Sequence, residues 1–423
     1  MNQMTPNNIP QGYKATALGI IPQEWEVRPL NYLGAICSGG TPDTEVAEYW
    51  NGDIAWCTPS DITKLDTKYI ESTEVKITAK GLKESSATLL PPRSIVVCTR
   101  ATIGTAAICN TEIATNQGFK NIIPNEKTNP EWLYYIIIYS KPRLVRLGCG
   151  STFLEVSKKD FSRFKIVVPP LAEQRKIAEV LGVWDEAIEK QARLIEKLAL
   201  RKRALMQRLL SAKLRLSGFS EPWKKVKLGD IGDTYNGLSG KNKDDFEYGN
   251  AQFIPYINVF SNERIDTNNL GCVQIKPNEQ QNTVKYGDIF FTVSSETPDE
   301  VGMASVLLEH LDNTYLNSFC FGYRLNNFST LNPFFAAYLF RTEHFRNYMS
   351  VLAQGSTRFN ISKKEVMKLK IDLPTIEEQT AIAEVLTAAD REIELAKEKL
   401  DRLRRQKRGL MQQLLTGKKR IKY

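Results

Sequence analysis

A stretch of 48 residues occurs twice in this chain, and it limits the possible fold more than any other feature. Residues 169–216, PPLAEQRKIAEVLGVWDEAIEKQARLIEKLALRKRALMQRLLSAKLRL, return without a gap 205 residues later as PTIEEQTAIAEVLTAADREIELAKEKLDRLRRQKRGLMQQLLTGKKRI, residues 374–421. Glu173-Gln174 matches Glu378-Gln379, and the run from Ile177 to Leu181 is identical to that from Ile382 to Leu386. In the first copy apolar residues fall at Ile177, Leu181, Trp184, Ile188, Ile195, Leu198, Leu205 and Leu209, with Gln191 and Lys202 in the polar gaps. The second copy gives Ile382, Leu386, Ala389, Ile393, Ala396, Leu400, Leu403, Leu410 and Leu414, with Lys407 in the gap. Steps alternating four and three are the seam of a coiled coil. A helix of about 40 residues is roughly 60 Å long and cannot bury such a stripe alone. The second copy is the obvious partner, and periodicity leaves parallel and antiparallel pairing open.

The repeat extends beyond the helices. Trp25, Leu30 and Leu33-Gly34 return as Trp223, Leu228 and Ile231-Gly232. Ile54-Ala55-Trp56-Cys57-Thr58 resembles Ile254-Pro255-Tyr256-Ile257-Asn258, and Ile95-Val96-Val97-Cys98 resembles Ile289-Phe290-Phe291-Thr292. Asn129-Pro130 and Asn332-Pro333 each open an aromatic-rich helical run, and Gly150-Ser151-Thr152 matches Gly355-Ser356-Thr357. The expected order is a polar lead-in over residues 1–20, a globular segment over 21–168, a long helix over 169–217, a second globular segment over 218–373 and a second long helix over 374–423. Each globular segment reads as short β-branched and aromatic strands with one or two helices, an α+β unit. Two similar but diverged units on nearly gapless helices suggest one scaffold carrying two different reading heads.

Charge separates the parts. The net charge is +9. Residues 169–216 contribute +5 and residues 374–423 contribute +4, so the remainder is balanced at 34 basic and 34 acidic residues. Acids early and bases late in each helix match the helix dipole; a basic surface beside nucleic-acid phosphate is the sharper account. Seven scattered cysteines without a CxxC pair read as reduced cytoplasmic thiols. With only His310 and His344, a histidine-rich metal site is excluded in practice. No nucleotide-binding loop is present, because Tyr235 and Asn242 stand where a P-loop around Gly240-Lys241 requires glycine and Ser/Thr. Pro42-Asp43 with Glu74-Val75-Lys76 is too short a pattern to argue a metal-dependent nuclease. No catalytic or metal-binding residue and no cofactor site is therefore assigned.

PPLAEQRKIAEVL, LPTIEEQTAIAEVL, the closing LMQRLLSAKLRL and LMQQLLTGKKRI, and SGGTP…YWNGDIAWCTPSDI together resemble the specificity subunit of type I restriction–modification systems, from about residue 21 to 421. The resemblance implies two target-recognition domains reading a split, asymmetric double-stranded DNA sequence, on helices packed antiparallel as a spacer. It implies no catalysis by the chain itself. It implies two modification subunits that bind S-adenosylmethionine and methylate adenine, and two restriction subunits using ATP and Mg. Two other classes stand beside this reading: a restriction or modification enzyme with unrecognised catalytic motifs, and a coiled-coil scaffold without DNA specificity.

Base-reading side chains should be polar groups or arginines on loops held by strands. In the first head these are Ser38, Thr41, Thr58, Ser60, Arg100, Thr102, Gln117 and Lys120. In the second they are Tyr235, Asn236, Lys241, Asn258, Ser294, Ser295, Asn317 and Arg358. Lys158-Lys159 and Lys363-Lys364, at matched places before the helices, are candidate phosphate contacts. Gly39-Gly40 and Gly237 fit either a close approach to phosphate or a plain turn. Trp25 and Trp223 are expected in the core. Val180, Leu194 and Leu210 flank the helix seam as a candidate partner surface.

Overall fold

The computed structural model describes residues 9–148, 154–246 and 248–421. The match of Gly150-Ser151-Thr152 to Gly355-Ser356-Thr357 therefore lies partly outside the described residues. The two long helices run over Leu171–Leu209 and Ile376–Leu414, 39 residues each. The chain divides into two compact units, residues 1–194 with 396–423, and residues 195–395. Each unit thus holds one head, the first part of one long helix and the last part of the other.

Within both units the helix segments pair antiparallel. In the first, Asp185 pairs with Lys407 and the Gln191 amide donates to the Ala396 carbonyl at 3.0 Å. In the second, Lys202 meets Asp390 at 2.6 Å and Arg201 pairs with Glu392. Every expected seam residue is buried or half-buried. The ends of the stripe continue into the head cores: Ile177, Leu181 and Leu414 join Trp25 and Trp132, while Leu209, Ile382 and Leu386 join Phe291 and Phe335. The polar gaps are occupied by the pairs just named. A lone amide or lysine in a seam fixes register at some expense of stability.

The doubled Glu-Gln explains why each helix starts where it does. Glu173 is fully buried and accepts from Trp25 Nε1 at 2.8 Å and from Arg420 at 2.7 and 3.0 Å. Glu378 is likewise buried, held by Arg215 at 2.6 and 2.7 Å. Gln174 and Gln379 each accept from the backbone N–H of a helix-capping asparagine, Asn129 or Asn332, at 2.9 Å. Those asparagines in turn cap helices Pro130–Val145 and Pro333–Leu339, each with proline at its first position.

Each head is built on an antiparallel or mixed sheet flanked by a smaller three-stranded one. In the first, the five strands run in the order Gly34–Ser38, Phe119–Pro124, Ile95–Cys98, Ala106–Cys109, Tyr69–Ile70. The small sheet places Trp50–Cys57 between Ile113–Thr115 and Lys76–Ile77. The second head repeats this with Gly232–Asn236, Cys320–Leu325, Ile289–Thr292 and Ala304–Val306, beside Gly271–Val273, Ala251–Ile254 and Thr314–Leu316. More helices occur than periodicity suggests, because several, such as Pro59–Thr63 and Lys363–Val366, are single turns. Thr342 restarts a helix over Glu343–Leu352 where the first head continues through Val145.

Three expectations change. The lead-in is not wholly irregular: Tyr13–Thr16 and Gly19–Pro22 form a hairpin, and the Tyr13 hydroxyl donates to the Gly417 carbonyl at 3.1 Å. Leu210 is buried and Val180 packs on the core, so of the three flanking residues only Leu194 stays exposed. Val183, 63% exposed, is a more open apolar position that the seam pattern did not single out. Trp25 is fully buried, whereas Trp223 is half-buried. Among the described residues no helix is long and apolar enough to cross a membrane.

Candidate nucleic-acid interface

In both heads three elements converge at one edge: the turn after the small-sheet strand Ile113–Thr115 or Thr314–Leu316, the short helix after that sheet's central strand, and the turn leaving strand Ile95–Cys98 or Ile289–Thr292 of the large sheet. The main-chain frame is the same in each. Asn116 N donates to Cys57 O and Asn317 N to Ile254 O, both at 3.1 Å. Gly118 N donates to Asn116 Oδ1 at 2.9 Å, and Phe319 N to Asn317 Oδ1 at 2.8 Å. Thr99 N donates to Gly118 O at 2.8 Å, and Val293 N to Phe319 O at 2.9 Å. These bonds make Cys57 the counterpart of Ile254. The sequence match that put Ile54 there is therefore three residues out, an error inherent in aligning two short β-branched runs.

The first edge carries Thr41, Ser60, Arg100 and Gln117. The Thr41 hydroxyl donates to Gln117 Oε1, and Ser60 is exposed at the start of helix Pro59–Thr63. Arg100 adjoins Gly118 across the hairpin. Ser38, on the neighbouring strand, pairs with Lys120. Thr58 is the cap of that helix, bonded to Asp61 through its N–H at 2.7 Å and its hydroxyl at 2.6 Å. Thr102 is half-buried in the hairpin turn. Lys120 is buried and braces the edge from behind, reaching Gln117 O at 3.4 Å and Glu155 at 3.5 Å.

The second edge gathers Ser294, Ser295 and Arg358 around an open cavity of about 420 Å³ lined also by Tyr256, Ile257, Phe319, Glu296 and Glu300, with the Ser295 hydroxyl donating to Glu300 at 3.0 Å. Ser294-Ser295 pairs with Phe359-Asn360. Beside it the Lys363 ammonium is bonded to Asn236 Oδ1. Lys158, Lys159 and Lys364 are exposed.

Four other candidates serve the fold. Tyr235 donates to Asp288 at 2.5 Å with Arg324 over its ring, and burial first, then Asp288, push its hydroxyl pKa far up. The Lys241 side chain is 3% exposed and bound to Glu279 at 2.5 Å and Gln274 O at 2.6 Å. Asn258 is buried and donates to Asp266 O and Asn269 O, both at 2.9 Å. Asn317, like Asn116, holds its own turn. The glycines also act in packing: a Cβ on Gly39 would lie 1.8 Å from Asn116 O, one on Gly237 2.1 Å from Asn317 O, and one on Gly40 2.4 Å from Ala87 N.

Burial pushes the Cys98 thiol up to about 11 and the Cys109 thiol up to about 12, so neither supplies a thiolate at neutral pH. Asp43 bonds the Glu45 N–H and Glu74 pairs with Lys64.

Two divergent edges on a duplicated main-chain frame, each in a unit with its own pair of antiparallel helix segments, define a two-headed protein. The family model described as type I restriction modification DNA specificity domain matches residues 22–199 and again 220–405. The chain belongs to that family. It is 39% identical over 193 residues to the type I restriction enzyme MjaIX specificity subunit of Methanocaldococcus jannaschii, covering 44% of this chain and 45% of that protein, so this alignment spans under half of the relative. It is 26% identical over 422 residues to the MjaVIII specificity subunit of the same organism, covering 95% and 94%. A solved structure described as showing complex assembly and conformational transition of the type I R-M system shares the fold at TM-score 0.64 and 20% identity, covering 94% of this chain and 99% of that one. The S subunit from M. genitalium does so at 0.51 and 16%, covering 92% and 96%.

Proposed function

We propose that the chain is the DNA-reading subunit of a type I restriction–modification complex and recognises a bipartite, asymmetric double-stranded target. The first half-site lies against the edge of Thr41, Ser60, Arg100 and Gln117, the second against that of Ile257, Ser294, Phe319 and Arg358. The single observation that carries this is the frame of equivalent hydrogen bonds holding different exposed side chains in the two heads. A structural scaffold has no reason to diverge at its exposed edges while keeping their support, whereas two readers of different sequences must. Two unlike heads also cannot read a palindrome by symmetry. The long helices act as spacer, and their outer faces, with Val183 and Leu194 exposed, receive two modification subunits. Those partners hold S-adenosylmethionine, restriction subunits hold ATP and Mg, and the complex works in the cytoplasm.

The test combines adenine-methylation sequencing of the host genome with exchange of residues 22–168 for the same region of a relative. The exchanged protein is expected to change one half-site and keep the other. A change in both, or in neither, rejects the two-edge reading. Methylation of DNA by the purified chain without a partner rejects the non-catalytic role.

A further inference from the structure

The shared frame allows the two edges to be compared position by position. Ser60 of the first corresponds to Ile257 of the second, Gly118 to Phe319 and Arg100 to Ser294, as the Cys57/Ile254, Asn116/Asn317 and Thr99/Val293 hydrogen bonds require. The first edge is small, polar and basic; the second presents two large apolar side chains. Ile257 is 57% exposed and Phe319 58% exposed, and both line the same cavity. Neither is spilled core. The Tyr256 hydroxyl, donating to Ser294 O at 2.9 Å, and the stacked rings of Tyr256 and Phe260, 5.9 Å apart, form a fixed floor beneath them. Apolar side chains held out of the core on a rigid polar-rimmed support gain by being covered. In the major groove the apolar group that a base pair offers is the C5-methyl of thymine.

Resting on the placement of DNA at this edge, we propose that Ile257 and Phe319 form a seat for a thymine methyl group, so that the half-site read by the second head contains a thymine recognised through its methyl. Arg358 and Ser294 at the rim supply the polar contacts that set the register of that base pair. The first head, with Ser60 and Gly118 at these positions, has no such seat.

The experiment uses the chain assembled with its modification subunits and the target found by methylation sequencing. Each thymine is replaced in turn by deoxyuridine, which removes the methyl and nothing else. At least one replacement in the second half-site is expected to weaken binding roughly fourfold, the effect of one methyl withdrawn from an apolar contact. The variant Ile257→Ser with Phe319→Gly is expected to bind thymine and uracil forms equally, while still assembling and still reading the first half-site. A second half-site without thymine, equal binding of all uracil forms by the unaltered protein, or persistence of the difference in the variant overturns the methyl seat. If the variant loses second-site preference although uracil has no effect, the edge stands and the seat falls. If the variant keeps that preference unchanged, DNA does not lie at this edge and both readings fall.

Discussion

Replacing Asp185 by alanine is expected to destabilise the first unit by about 3 kcal/mol, the lower end of what breaking a buried ion pair costs. Asp185 is the meeting point of three elements. The Tyr135 hydroxyl donates to it, Lys407 pairs with it from the other long helix, and Lys68 approaches to 3.4 Å from the head. The Lys68 side chain is 11% exposed and that of Lys407 16%, and both ammoniums lie just over 5 Å from the Tyr135 ring centroid. Without the carboxylate two largely buried cations are left beside one another and the Tyr135 ring with no counter-charge. Asp185 itself keeps 20% exposure, so water recovers part of the loss. Urea unfolding of the single variant reads the effect. Adding Lys407→Met should restore more than half of it, since the second cation then no longer needs a counter-charge. A loss below about 1 kcal/mol in the single variant would mean the cluster behaves as a solvated surface pair.

Changing Gln174 to alanine should cost about 2–3 kcal/mol, although no charge is involved. Its carbonyl accepts from Asn129 N at 2.9 Å, and its amide donates to Pro169 O at 3.0 Å and Lys127 O at 3.2 Å. Removal strands three main-chain groups, of which Pro169 O is buried and the other two are partly shielded from water. Gln379 makes the matching bonds to Asn332 N at 2.9 Å, Pro374 O at 3.0 Å and Thr330 O at 2.9 Å, so Gln379→Ala should weaken the second unit equally. Hydrogen exchange at the start of helices Pro130–Val145 and Pro333–Leu339 locates the damage. Unchanged protection there in the variants would show that the glutamine is ornamental to the junction.

The long helices were legible because a stripe with a fixed period needs no knowledge of distant contacts. Their partner was legible because it is a second copy. The direction of pairing was legible only through the family resemblance, which implies antiparallel helices, since the seam pattern alone fits both; Lys202 with Asp390 and Lys407 with Asp185 bear it out within each unit. The loops that converge at each edge were legible in the repeat, but which of their side chains face outward was not. A polar loop residue shows no outward sign of whether a partner waits elsewhere in the chain, and Lys241 finds Glu279 while Tyr235 finds Asp288 and Arg324. Ile257 and Phe319 carry no polar group, so nothing in their own residue type marks them as base readers. The signal that would have found them is the mismatch between equivalent positions, and it needed the three-residue correction that only main-chain hydrogen bonds supply.

The duplicated helix carries one more consequence. Lys202 and Lys407 are repeat equivalents, as are Arg215 and Arg420, Asp185 and Asp390, and Glu173 and Glu378. Residues 1–217 therefore contain both sides of two ion pairs, one tying helix to helix and one helix to tail: Asp185 with the equivalent of Lys407, and Glu173 with the equivalent of Arg420; Arg201 with Glu392 is not repeated, because Ala187 stands at the position equivalent to Glu392. Two copies of that half-chain can supply to one another what one full chain supplies to itself. Such a pair would carry identical edges and read an inverted repeat. On the proposed reading the asymmetry of the target resides in the divergence of the heads, while the long helices keep the two ion pairs in both copies of the repeat.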